Sequence, residues 1–507
     1  MKKQISIGKF SVLFALLLSV MIAAPALAAD KVADDDITYW AKDALRHDAR
    51  VDASEITVKT KKGIVTLTGS VDNLAAKKYA DLEAKKINGV LGVVNEIGVT
   101  PVWRSDSDIR NAVRRRILNS AVIESQGITV TSDNGKVTLL GTVDTYSEEK
   151  EAELLASETR GVKEVENLIT TKWKTKRSDQ EIKNDAVAAL ERDAYLSGLP
   201  ITVSVKDAVI TLTGSLGGAY GKDRAGSDVH WISNVKDVRN KLRVEWWEKR
   251  GVREKKPQPS DNALKKAVRA ELDQDNRVDS SDISIKASYG KVTLDGSVFS
   301  HYQKRIAGQD VRDVVGVGWV TNNLFARIDK REDWAIQDDI DFNLVTDSIL
   351  EGFDIGTKVN NAVVTLSGNV HTWYEKFHAG DVASRVKGVK NIINNITVYR
   401  SIWKKDAELV RTINDRIKWN WTTFPVRDKI IVNVYNGVAA LTGDVDTWAE
   451  RREAGRVALQ TEGIWKLDNL LAVKGYNYLW DDWYVKGPHL YDPYYYYEFD
   501  YYPYESY

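Results

Sequence analysis

A glycine preceded at two residues by leucine, inside a β-patterned stretch, recurs six times along the 507 residues at nearly constant spacing. The stretches are IVTLTGSV (64–71), VTLLGTV (137–143), ITLTGSL (210–216), VTLDGSV (292–298), VTLSGNV (364–370) and AALTGDV (439–445). With Gly69, Gly141, Gly214, Gly296, Gly368 and Gly443 as origins, the intervals are 72, 73, 82, 72 and 75 residues. Recurrence at a fixed period is the signature of one supersecondary unit built several times, so the fold to be explained is that of a single module.

Other positions keep step with these origins. Leu67, Leu139, Leu212, Leu294, Leu366 and Leu441 stand two residues before the glycine. Twenty residues after it come Gly89, Gly161, Asn234, Gly316, Gly388 and Gly463, and six further on Asn95, Asn167, Asn240, Asn322, Asn394 and Asn469. Thirty-two before it come Ile37, Ile109, Ile182, Leu264 and Ile336, with the sixth copy slipped by one to Val410.

The periods within one module give its elements. Ile37, Trp40, Ala41, Ala44 and Leu45 share one face of a helix. ITVKTKKGIVTLTGSV alternates on both sides of a Lys-Gly turn, a β-hairpin. NLAAKKYADLEAKKI is again helical and VVNEIGV is a short strand. A right-handed strand–helix–strand crossover sets the last strand parallel to the second. The fold class is α+β: six tandem αββαβ modules, each a small three-stranded mixed sheet covered by two helices. Gly89 and its equivalents are expected at the helix C′ position, where Asn234 is the usual second choice. Gly69 and its equivalents are expected at an inward strand position, where the missing side chain lets a helix approach or permits a bend, and where valine would overpack by about 1–3 kcal/mol. The recurrent asparagines read as backbone caps in a turn or bulge.

The order αββαβ, the V-T-L-x-G-x-V strand and the Gly-Val twenty residues later resemble the BON domain, a bacterial envelope module, over about residues 35–474. The resemblance implies a non-enzymatic module of envelope maintenance and stress. One branch of the family binds anionic phospholipid through a helix, and another is linked to chaperone-like help for envelope proteins. The expected boundaries are 35–100, 106–173, 178–246, 260–328, 333–400 and 405–474. Residues 247–259 read as the main linker between two halves of three modules, and 475–507 as a low-complexity aromatic and acidic tail.

Composition limits the function classes. Residues 1–28 have the form of a secretory signal: Lys2, Lys3 and Lys9, the apolar run FSVLFALLLSVMIAA, and Ala26-Leu27-Ala28. Its loss would take three lysines from a chain with 72 basic and 72 acidic side chains, leaving a net charge of −3 and a periplasmic address. The absence of cysteine excludes disulfides, thiolate metal sites, a cysteine nucleophile and an acylated cysteine. An exported, slightly acidic protein is a poor fit to nucleic acid.

No catalytic residue, metal or cofactor is assigned. The six histidines are scattered except His371 and His378, two helical turns apart and without a third ligand nearby. GSLGGAYG (214–221) lacks the Gly-Lys-Ser/Thr of a phosphate loop and reads as a loosened turn into a helix. The candidate binding residues are basic and aromatic. Arg114, Arg115 and Arg116 lie on the first helix of module 2, and Trp246, Trp247, Lys249 and Arg250 lie at the central joint. Tryptophan beside cations suits an anionic lipid surface. The expected partners are therefore membrane phospholipid or envelope proteins, with a periplasmic holdase as the alternative and no small-molecule substrate.

Overall fold

The computed structural model describes residues 32–473 except 49, 125–126, 174–175, 246–258, 329 and 400–403. The signal segment, nearly all of the 247–259 linker and the 475–507 tail lie outside the described residues. Module 1 consists of a helix (Asp34–Arg46), strands Thr57–Lys61 and Ile64–Val71, a second helix (Leu74–Lys85) and a last strand, Gly92–Val99. The motif strand is central: Val58 opposes Leu67 antiparallel on one side, and Asn95 pairs with Leu67 parallel on the other. The same order and register recur five more times.

Alternation along the central strand explains the single buried face. Val65, Leu67 and Val71, with their counterparts in every copy, are at most 4% exposed beneath the two helices. The motif glycine is not part of that face, and this corrects the expectation. It is buried in none of the copies, and its φ lies between +114° and +146°. A Cβ there would overlap a backbone carbonyl at the entry to the hairpin's first strand, such as that of Glu55 or Asp282. Of the two expected reasons for the glycine, the backbone bend holds and room for a helix does not. Gly296→Ala is therefore expected to destabilise by at least about 1–3 kcal/mol through dihedral strain alone. A urea midpoint unchanged from wild type would contradict this.

The second recurrent glycine also moves from its expected place. Gly89 lies three residues past the helix C-cap Lys86, as third residue of a turn closed by Val90 N–H to the Ile87 carbonyl at 3.1 Å. Its φ of +96°, and +71° at Asn234, explain the Gly/Asn choice. The asparagines bridge strand to helix: Asn322 Nδ2 donates to the Lys304 carbonyl at 2.7 Å, and its Oδ1 accepts from Leu324 N–H at 3.2 Å. The other five make the same pair of bonds. In modules 3 to 6 the last strand stops at this residue and resumes after a gap of two residues.

The sixth copy is slipped by two residues, not one. A 3₁₀ turn, Phe424–Lys429, lengthens the path from first helix to hairpin, so Leu409 is fully buried while Val410 is half-buried.

The modules pair across the middle of the chain. Modules 2 and 5 join through two short antiparallel bridges, Ser120 with Val386 and Thr159 with Asp347. Modules 3 and 4 repeat this with Asp193–Val314 and Ile232–Asp275, and modules 1 and 6 through Ile87–Asn420. Each bridge sets the residue ending one module's first helix against the turn after its partner's second helix. In the 2·5 and 3·4 pairs the contact is therefore reciprocal, the geometry of a two-fold interface within one chain. The two halves flanking the linker are thus not separate bodies, because every pair takes one module from each. Modules 1 and 3 also share one apolar core, which Tyr374 and Trp421 enter from modules 5 and 6.

Candidate functional site

Polar side chains concentrate at these seams. The residue capping each first helix, or in module 1 the one just past the cap, is Asp48, Ser120, Asp193, Asp275, Asp347 or Asn420. In every copy its side chain accepts the N–H two residues on, at 2.7–3.1 Å, fixing the turn that makes the bridge. Another acid, at the start of the first helix, grips the hairpin turn: Asp34 accepts from Lys62 and Gly63 N–H at 2.6 and 2.8 Å. Asp106, Asp179, Asp333 and Asp406 do the same, and Asp261 accepts from Tyr289. Neither series is singled out by the sequence pattern, although five members of each stand 21 and 35 residues before the motif glycine.

The three consecutive arginines do not share a surface, because successive helical residues turn through about 100°. Arg114 is exposed. Arg115 reaches Asp338 at 2.5 Å and Asp339 at 3.2 Å on module 5, and lies over the Phe342 ring. Arg116 is 1% exposed and lies inside the 2·5 seam, out of reach of any headgroup. Trp246, Trp247, Lys249 and Arg250 lie outside the described residues.

Within that seam, Arg116 Nη2 is 3.0 Å from Asp347 Oδ2 and 3.5 Å from Glu158 Oε2. Asp347 Oδ1 is 2.9 Å from His378 Nε2. Arg385 joins Glu151 at 2.9 Å and Asp381 at 2.7 Å, and Arg305 of module 4 also pairs with Asp381. Four carboxylates thus face three guanidinia, and a protonated His378 completes the balance. Burial alone would pull His378 down, but Asp347, Glu158 and Asp381 outweigh it and hold the imidazolium above its ordinary value. Burial likewise opposes ionisation of Asp347, yet His378, Arg116 and the Ile349 N–H bring it to about 2.

Glu158, Asp347 and His378 also present ligand atoms within 4.8 Å of one another, all buried. A metal does not fit there: Arg116 already places a positive charge against both carboxylates. His371 lies before the helix that carries His378, so the two histidines do not share a helical face. The glycine-rich 214–221 segment is a bed for an aromatic side chain. A Cβ at Gly218 or Gly221 would overlap the Trp421 indole arriving from module 6.

The BON domain family model matches residues 33–101, 105–172, 178–245, 260–326, 332–399 and 405–475, most of the chain. The chain is a six-fold BON-domain protein. Osmotically-inducible protein Y of Escherichia coli is 30% identical over 146 residues, covering 27% of this chain and 73% of that protein. Outer membrane lipoprotein DolP of Haemophilus influenzae is 30% identical over 147 residues, covering 28% and 76%. No helix among the described residues of this BON array is long and apolar enough to cross a membrane.

Proposed function

We propose that this BON array is an exported, non-catalytic envelope protein that holds anionic phospholipid surfaces by peripheral contact. The carrying observation is an outward-facing stripe at the 2·5 pair. Arg110 and Arg114 are exposed one helical turn apart, with Leu118 47% exposed one turn further. On module 5's first helix (Asp333–Thr346), which packs beside this one, Trp334 and Val345 are 72% and 64% exposed. Cations, an indole and aliphatic side chains on one pair of helices suit a headgroup boundary. The buried acids and bases described above are spent on one another across the seams, which supports a binding role over a chemical one. The names of the relatives, one osmotically induced and one an outer membrane lipoprotein, support an envelope setting.

Trp246, Trp247, Lys249 and Arg250 are proposed to add a second contact of the same kind. A holdase would present continuous apolar helix faces to unfolded clients, whereas here most apolar helix side chains lie against sheets and neighbouring modules. Of the few exposed ones, Leu118, Trp334 and Val345 sit beside Arg110 and Arg114, so lipid is the favoured partner.

The full chain is expected to sediment with anionic but not zwitterionic vesicles. At about 1 kcal/mol per cation near such a surface, Arg110→Glu with Arg114→Glu should lower partitioning on the order of tenfold or more. Pelleting equal to wild type, or equal binding to both vesicle types, would sink the proposal.

A further inference from the structure

Each of the six sheets turns one face to its helices and the other outward, so the copies serve as controls for one another. In module 6 the hairpin's first strand, Ile430–Tyr435, buries Ile430 and Val432 and points Ile431, Asn433 and Tyr435 outward. Ile431 and Tyr435 are 58% and 76% exposed. Their neighbours on the central strand are Thr442, Ala440 and Val438. Leu470, 45% exposed between buried Asn469 and Leu471, continues this face, its N–H donating to the Leu441 carbonyl at 2.8 Å.

The other five copies keep this face more polar. Counted from the motif glycine, Ile431 stands where they have Thr57, Thr129, Thr202, Ser284 and Gly356, and Ala440 where all five have threonine. Their first strands each carry an exposed charge outward: Lys59 and Lys61, Asp133, Lys206, Lys286 and Lys358. Such charges keep other strands off a sheet edge. Module 6 has none on this strand. Leu140 and Leu168 give module 2 an apolar spot, but the ion pairs of Lys136 with Glu164 and Glu166 lie beside it.

The module without that charge is also the one from which the aromatic tail continues. Its last strand, Ala472–Val473, pairs with Asp444 and Val445 in the same sheet. Residues 474–507, outside the described residues, follow directly and hold 12 of the 22 tyrosines. Tyr476, Tyr478 and Trp480 alternate there, the spacing that sets side chains on one side of an extended segment. At about 3.3 Å per residue the stretch from Val473 to Tyr484 reaches about 36 Å, enough to cross a sheet whose strands lie about 4.8 Å apart.

We propose that residues 476–484 lie across the outer face of module 6's own sheet, with Tyr476, Tyr478 and Trp480 seated on Ile431, Ala440 and Leu470. Aromatic side chains bury a large apolar area on such a surface, and a contiguous exposed apolar patch marks a contact. The segment thereby covers in module 6 the edge that charge protects in the other five.

Chymotrypsin, which cuts after tyrosine and tryptophan, tests this on the full chain. Cleavage within 476–484 should be on the order of tenfold or more slower than in a free peptide of residues 474–507, at any protein concentration. Ile431→Thr with Tyr435→Lys gives module 6 the residues that module 1 has there, Thr57 and Lys61. That folded variant should be cut at close to the peptide's rate. Equal rates for the wild-type chain and the peptide overturn the proposal even if the variant fails to fold. So does a slow rate that the folded variant keeps, which seats the segment elsewhere. Protection that grows with protein concentration would assign the face to a second copy, and protection seen only with anionic vesicles would assign the segment to lipid. Either result also overturns it.

Discussion

Arg116→Glu is expected to unfold the 2·5 pair, and Arg114→Glu, two residues away, to leave stability within about 0.5 kcal/mol of wild type. The guanidinium of Arg116 is the cation between Asp347 and Glu158, and all three side chains are at most 1% exposed. Removing one member of a buried ion pair costs about 3–5 kcal/mol, because the remaining charge is left desolvated and unanswered. Reversal is worse, since it gathers three carboxylates at one buried point. Arg116→Met, which keeps much of the volume, should lose less than Arg116→Glu and still more than Arg114→Glu. Urea midpoints by far-UV circular dichroism rank the three variants. Equal midpoints for Arg116→Glu and Arg114→Glu would show that the seam ion pairs carry no stability. The ranking also bears on lipid binding, because loss of vesicle pelleting in a triple Arg114–Arg116 reversal would report unfolding rather than a lost contact.

The module was legible in sequence because its determinants are local. Period-2 alternation, the Lys-Gly turn and the leucine before glycine each act within one hairpin, and six copies average out the noise. What the glycine does was not legible. Position in an alternating strand suggested an inward face, whereas its positive φ depends on a carbonyl fourteen residues upstream, as with Glu55 and Gly69. The seams were hidden for another reason. Their residues occupy fixed offsets but differ in chemistry from copy to copy: Glu151, Arg224 and His378 all stand ten residues after the motif glycine. Glu151 answers Arg385 of module 5, Arg224 answers Asp313 of module 4, and His378, bonded to Asp347 of its own module, faces Glu158 of module 2, so repetition obscures them instead of revealing them. Such variation gives each seam its own arrangement of buried charge on otherwise similar backbones.

The same chemistry makes the 2·5 pair sensitive to pH in a direction that can be derived. His378 has a folded-state value raised above its ordinary one. Its contribution is therefore fully present below the unfolded pKa, about 6.5, and is lost as pH rises through the folded value. Asp347, depressed to about 2, contributes above its unfolded value near 3.9 and loses that contribution as pH falls toward 2. The pair is thus most stable between these limits, in mildly acidic to neutral solution. On the alkaline side deprotonation removes the charge-assisted bond between His378 Nε2 and Asp347 Oδ1, worth about 1.5–3 kcal/mol, and leaves the seam one negative charge in excess. His378→Gln keeps a neutral donor at the same place but cannot titrate. It should lower stability at pH 6 and converge on wild type above the folded value, so the difference between the two urea midpoints should shrink as pH rises from 6 to 9. A constant difference across that range would mean that His378 is neutral in the folded protein, and that the four carboxylates of the seam are balanced by three arginines and by something other than the imidazole.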